Sequence, residues 1–184
     1  MIQSDLKFKI ITAGDAAVGK TTLLRRYVEG KFQFNTLMTV GVDILHKMVN
    51  LDDGNVCSLQ LWDLGGQKMF RSMLDSFVGG ASGGFLMFDL TNHSSFENLL
   101  EWVTIMRKYD NTLPIILLGS KNDLKDSISV SDEDAIESVE KHNMAGYFKT
   151  SSKTGYNVNE AFEELTKIVV NINVLSTENH SIKL

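Results

Sequence analysis

"GDAAVGKTT", residues 14–22, follows the apolar, β-branched run "LKFKIIT" (6–12) and precedes a helical stripe of Leu23, Leu24, Tyr27 and Val28. Two glycines bracket four small or compact residues, and a lysine and two threonines close the stretch. This is G-x-x-x-x-G-K-[ST] in a strand–loop–helix setting. Gly14 and Gly19 let the backbone wrap with its N–H groups pointing inward, and the small side chains between them leave the hollow open. The helix after the loop adds the positive end of its dipole. Lys20 reaches terminal phosphates and the Thr21 hydroxyl holds Mg²⁺. The stretch reads as a phosphate cradle at the end of a first strand.

Outward from it, apolar runs alternate with helical patterns. "VDILHKMVN" (42–50) and "VCSLQLWD" (56–63) read as an antiparallel hairpin turned by Asp53-Gly54. "GFLMFDL" (84–90) and "PIILLGS" (114–120) are continuous apolar runs, as strands covered on both faces should be. Phe96, Leu99, Leu100, Val103 and Met106 mark one helix between them. Ser131, with an acid three residues on, starts another. "GYFKTS" (146–151) is a short last strand, and Phe162, Leu165, Ile168, Val169 and Ile172 give a final helix. The pattern predicts an α/β fold of the P-loop type. It has a six-stranded, mostly parallel sheet with one antiparallel strand and about five flanking helices. Residues 1–175 are expected to form one domain, with 176–184 a polar tail.

The bulk numbers agree with a soluble chain. It has 184 residues, 43% hydrophobic and 22% charged, which allows one well-packed core. A net charge of −5 without a basic run excludes a general nucleic-acid surface. Cys57 is the single cysteine, so no internal disulfide forms, and a reducing, cytoplasmic setting is expected. The N-terminus lacks a secretion pattern and no 18-residue apolar run occurs.

Ligands of open parallel sheets bind beyond the carboxyl ends of the strands, so the residues just past each strand carry the chemistry. "WDLGGQ" (62–67) ends the third: Asp63 can hold the metal, Gly65 and Gly66 admit close backbone approach, and Gln67 can orient a water. "GSKNDL" (119–124) ends the fifth. The two acceptors of Asp123 match the adjacent ring N–H and amino donors of guanine, whereas adenine presents an acceptor there. The stem of Lys121 can lie along the base. "TSSKTG" (150–155) ends the last strand and offers N–H groups to the base carbonyl.

These four motifs, in this order, resemble the Ras superfamily of small GTPases over about residues 7–172, and the Rab family most. "TVGVD" (39–43), "LQLWD", "MFRSM", "GGASGGFLMFDLTNHSSFENLLEWV" and "TSSKTG" have Rab-like form. "WDLGGQ" is more similar to the Arf version, since Rabs have Thr-Ala where Leu64-Gly65 stands. The resemblance implies that Gly14, Asp15, Ala16, Ala17, Val18, Gly19 and Lys20 form the phosphate loop, with Thr22 also among the nucleotide contacts. It implies magnesium ligation by Thr21, Thr39 and Asp63. Thr39 and Gly66 would sense the terminal phosphate, and Gln67 would position the attacking water, with Lys20 assisting. Phe32 would cover the guanine. Ser120, Lys121 and Asp123 would read it, helped by Ser151, Ser152 and Lys153.

Four departures from the family pattern carry expectations. Ser120 stands where the guanine motif has asparagine, so one bond to base or loop is lost. Ala16 crowds the route of an activating arginine. Lys68 replaces a glutamate used by exchange factors. The chain ends "NHSIKL" without the prenylated cysteines of Rabs, so the expectation is either that its end is trimmed or that it meets membranes only through partners, if at all. The implied protein is a monomeric switch that binds GTP and Mg²⁺ and slowly hydrolyses GTP to GDP, in trafficking-like regulation. Effectors, exchange factors and activating proteins would meet residues 32–44 and 63–78. The alternative is a guanine-nucleotide-binding scaffold with little hydrolysis.

Overall fold

The computed structural model describes residues 6–34, 38–51 and 53–181. Its strands are β1 (Leu6–Gly14), β2 (Val42–Asn50), β3 (Val56–Leu64), β4 (Gly83–Asp89), β5 (Ile115–Ser120) and β6 (Gly146–Lys149). They form one sheet in the order β2-β3-β1-β4-β5-β6. β2 runs antiparallel to β3, and every other neighbouring pair is parallel, with Ile10 opposite both Leu61 and Gly83. The sequence expectation of six strands with one antiparallel member holds.

The helices are α1 (Lys20–Glu29), α2 (Arg71–Val78), α3 (His93–Glu97), α4 (Leu99–Met106), α5 (Asp132–Lys141) and α6 (Val158–Ser181). The period-two alternation of the strands sorts them into two layers. Phe8, Ile10, Phe85, Met87, Ile116 and Leu118 face α1 and α6, where Tyr27 stacks on Phe162 with ring centroids 3.7 Å apart. Ile11, Ala13, Leu86, Phe88, Ile115 and Leu117 face the other side, against Leu74 of α2, Trp102 of α4 and Ala135 of α5. All seven residues of β4 are buried, which accounts for its unbroken apolar sequence.

Three details differ from the expectation. The helix foreseen over Phe96–Met106 is two helices, because Asn98 leaves helical geometry (φ −85°, ψ 3°) and its side-chain amide donates to Asp15. With α2, which the apolar pattern did not reveal, this makes six α-helices among the described residues. β6 ends at Lys149, short of the expected Ser151; beyond it, Thr150 still donates to Gly119 O and accepts from the amide of Asn122. The polar stretch from Ser176, expected as a tail, continues α6 to Ser181, and 182–184 lie outside the described residues. Among the described residues, no helix is long and apolar enough to cross a membrane. Because five strands are parallel, the loops after β1, β3, β5 and β6 meet at one edge of the sheet.

Candidate functional site

The loop between β1 and α1 is shaped by its backbone. Gly14 has φ +138°, and a Cβ there would sit 2.2 Å from the carbonyl oxygen of Met87 on β4. Gly19 has φ +100° with nothing within 4 Å, so conformation rather than space requires glycine there. Ala17 also adopts a left-handed conformation, φ +65°. Lys20 is buried and lies back across the loop, donating to the carbonyls of Gly14 and Asp15, each at 2.7 Å. Burial pulls its pKa down to about 8, against the opposing pull of Asp63 and Asp15, while Arg71 lowers it further. The result is a desolvated cation inside a ring of small residues.

Asp63, at the end of β3, is fully buried. Its Oδ2 accepts from Thr21 Oγ1 at 2.5 Å and from Thr39 Oγ1 at 2.9 Å, and the two hydroxyl oxygens are 2.9 Å apart. Its Oδ1 is buried without a hydrogen-bond partner. Burial raises the pKa of this carboxyl, while Thr21, Lys20 and Thr39 oppose the rise. Three elements thus converge three hard oxygens on one point, beside one carboxylate oxygen left without a hydrogen-bond partner. One carboxylate and two hydroxyls suit a small hard ion that shares its shell with phosphate and water, as Mg²⁺ does.

The residues after β3 press against both neighbours. The amide of Gly65 donates to Gly41 O at 2.8 Å, and a Cβ on Gly65 would lie 2.9 Å from Thr39 O. A Cβ on Gly66 would lie 2.4 Å from the amide nitrogen of Ala16. The side-chain amide of Gln67 points at the sulfur of Met38, 3.8 Å away.

These parts border a cleft of about 530 Å³. Ala16, Ala17, Val18, Gly19, Lys20, Thr21 and Thr22 line one end, with Thr39, Gly66 and Gln67; Ser120, Lys121, Asp123, Ser152 and Lys153 line the other, and Phe32 edges it. Asp15, Asp63 and Ser151 stand behind this lining. Asp123 Oδ1 accepts from Ser151 Oγ at 2.6 Å, which fixes the carboxylate from the rear. Lys121, in a left-handed conformation, pairs with Asp89 Oδ2 at 2.6 Å. Ser120 Oγ is 2.6 Å from Val18 O and 2.9 Å from Phe88 O. Lys20 and Asp123, the two residues on which the functional reading depends, therefore share one cleft. Residues 35–37, within the segment 32–44 expected to meet partners, lie outside the described residues.

A model of the Ras family matches residues 9–171. The chain belongs to the Ras family. This Ras-family protein is 40% identical to the Ras-related protein Rab-27A of Rattus norvegicus over 177 residues, covering 90% of this chain and 80% of the relative. It is 38% identical to the Ras-related protein Rab-2B of Dictyostelium discoideum over 180 residues, covering 95% and 88%. It is 36% identical to the Ras-related protein RABA1c of Arabidopsis thaliana over 166 residues, covering 89% and 76%. It is a Rab-like small GTPase.

One cluster of this Rab-like protein is not legible in its sequence. Asp15, assigned to the phosphate loop, turns its carboxylate away from the cleft. It accepts from Arg71 at 2.6 Å, from the Asn98 amide at 2.7 Å and from the Trp102 indole at 2.8 Å. Arg71, the first residue of α2, also pairs with Glu101 and lies 4.7 Å over the Trp102 ring. The phosphate loop is thereby tied to α2 and α4. The signal in the sequence was an acid inside an otherwise small-residue loop, which its own wrap does not require.

Proposed function

We propose that this Rab-like protein is a guanine-nucleotide switch that binds GTP, hydrolyses it slowly to GDP and phosphate, and regulates a trafficking step from the cytoplasm as a monomer. The observation that carries the reading is one cleft with a buried lysine at one end and a braced aspartate at the other. A polyanion suits the first end and adjacent donors on a base suit the second.

The chain's residues divide the work. Loop amides and Lys20 hold the phosphates and offset the charge that grows on their oxygens during transfer. Thr21, Thr39 and Asp63 hold Mg²⁺, which when bound neutralises charge on the phosphate oxygens. Gln67 aims the attacking water once it leaves Met38. Residues 31–40 contain Lys31 but no arginine, so the unaided reaction is slow. Thr39 and Gly66 hold their segments only while the terminal phosphate is present, and its loss changes the surface offered at 32–44 and 63–78. Exposed Phe34, Met38, Val40, Met69 and Met73 give that surface an apolar character fit for protein partners.

The test is twofold. Nucleotide released from the purified protein is identified by chromatography, and guanine nucleotide is expected. Single-turnover phosphate release from bound GTP is then compared with the Gln67→Leu variant, which should be slower by about tenfold or more, about 1.4 kcal/mol in barrier. Equal rates, with GTP still bound, favour the scaffold reading.

A further inference from the structure

Ser120 closes β5 where the phosphate loop meets the base end of the cleft, and its side chain is almost wholly buried. Its Oγ lies 2.6 Å from Val18 O and 2.9 Å from Phe88 O. Both partners are acceptors, and a serine hydroxyl carries one proton. Whichever carbonyl takes that proton, none remains for a nucleotide. The side chain then meets a base only with lone pairs. The edge of guanine that faces the major groove in DNA also presents acceptors, N7 and O6.

The neighbours do not make up the deficit. Lys121 Nζ is drawn to Asp89 at the end of β4, 2.6 Å away, which spends one of its three donors there, and the carboxylate of Asp123 only accepts. The other side chains and amides at this end, from Ser152 and Lys153, belong to the loop after β6 and suit the base carbonyl. We infer that Ser120 anchors the phosphate loop to β4 and β5, and that the pocket reads guanine along its ring N–H, amino and carbonyl groups, leaving N7 unread. The inference rests on the guanine reading proposed above. It sets the substrate tolerance of the site: purine nucleotides altered at N7 bind as guanine nucleotides do, whereas those altered at the amino group do not.

The experiment is competition of GDP, 7-deaza-GDP and IDP against a fluorescent GDP analogue on the whole chain with Mg²⁺. In 7-deaza-GDP a C–H replaces N7 with little change of shape; IDP lacks the amino group. GDP and 7-deaza-GDP are expected to bind within threefold of each other, and IDP at least tenfold more weakly. A 7-deaza-GDP penalty above threefold, with GDP still preferred to IDP, overturns the inference alone. Equal binding of GDP and IDP removes the guanine reading and the inference with it. Ser120→Ala gives a second readout. An anchor's loss lowers the affinity of GDP and 7-deaza-GDP by the same factor. Selective weakening of GDP would show that the hydroxyl had been reading N7. The wild-type comparison stands by itself if that variant does not fold.

Discussion

At the residue scale, Asp63 is the residue on which the proposed Mg²⁺ site turns. Leaving a buried carboxylate oxygen without a partner costs more than most single contacts return, unless a cation is bound there. Asp63→Asn keeps the shape and removes the charge. In the wild type, chelating Mg²⁺ with EDTA should speed nucleotide release by about tenfold or more, the factor set by losing one charged contact. In Asp63→Asn, release should be fast with or without EDTA; a variant that kept the full Mg²⁺ effect would show that the metal is held elsewhere. Gly14 gives a stability counterpart. A methyl at a position with φ +138° and 2.2 Å from Met87 O would force β1 from β4. Gly14→Ala should cost about 3 kcal/mol or more in urea unfolding. The motif made Gly14 legible, but not its reason. The motif assigns it to the wrap of the loop, whereas the tightest constraint is the neighbouring strand. Ser120 was legible as a departure, yet the carbonyls that claim its hydroxyl lie 102 and 32 residues away.

At the element scale, strands were easier to read than the segment after β3. β4 and β5 are fully buried, and an unbroken apolar run says so without further context. α2 is eight residues long and presents only Leu74 and Val78 as buried apolar residues, too little periodicity to stand out. Its orientation comes instead from Arg71, which meets Asp15 and Glu101 across long sequence separations. Removing one partner of a fully buried ion pair costs some ~3–5 kcal/mol. Here the Asp15 side chain is 20% exposed and that of Glu101 52%, so solvent screens part of the attraction. Arg71→Ala should therefore lower stability by about 2 kcal/mol, and Asp15→Asn by a similar amount. The double variant should lose much less than the sum in urea unfolding, because the two changes break the same contact. Simple additivity would mean that the pair is not a unit. The helix break at Asn98 has the same origin, for its amide also goes to Asp15.

At the scale of the whole molecule, the strand order brings four loops to one edge, and the Asp15 cluster ties the first of them to α2 and α4. Gly66 packs on the backbone of Asp15 and Ala16, so a terminal phosphate that draws Gly66 closer acts on the same loop that Arg71 and Trp102 hold. Trp102 is wholly buried, donates its indole N–H to Asp15 and carries the Arg71 guanidinium over its ring. Indole emission depends on such hydrogen bonds and nearby charge. Trp62, the only other tryptophan, lies beneath Lys9 with its ring 6.4 Å from that of Phe77 on α2, so its emission must be removed first. In a Trp62→Phe background, replacing GDP by a non-hydrolysable GTP analogue should change the emission of Trp102. Adding Arg71→Ala should remove most of that change while nucleotide binding persists. Identical spectra in the two nucleotide states would separate the cluster from the cleft, since the loop would then hold the same contacts to α2 and α4 with or without the terminal phosphate. A state-dependent signal that survives Arg71→Ala would instead route the coupling through the backbone contact at Gly66, without the guanidinium.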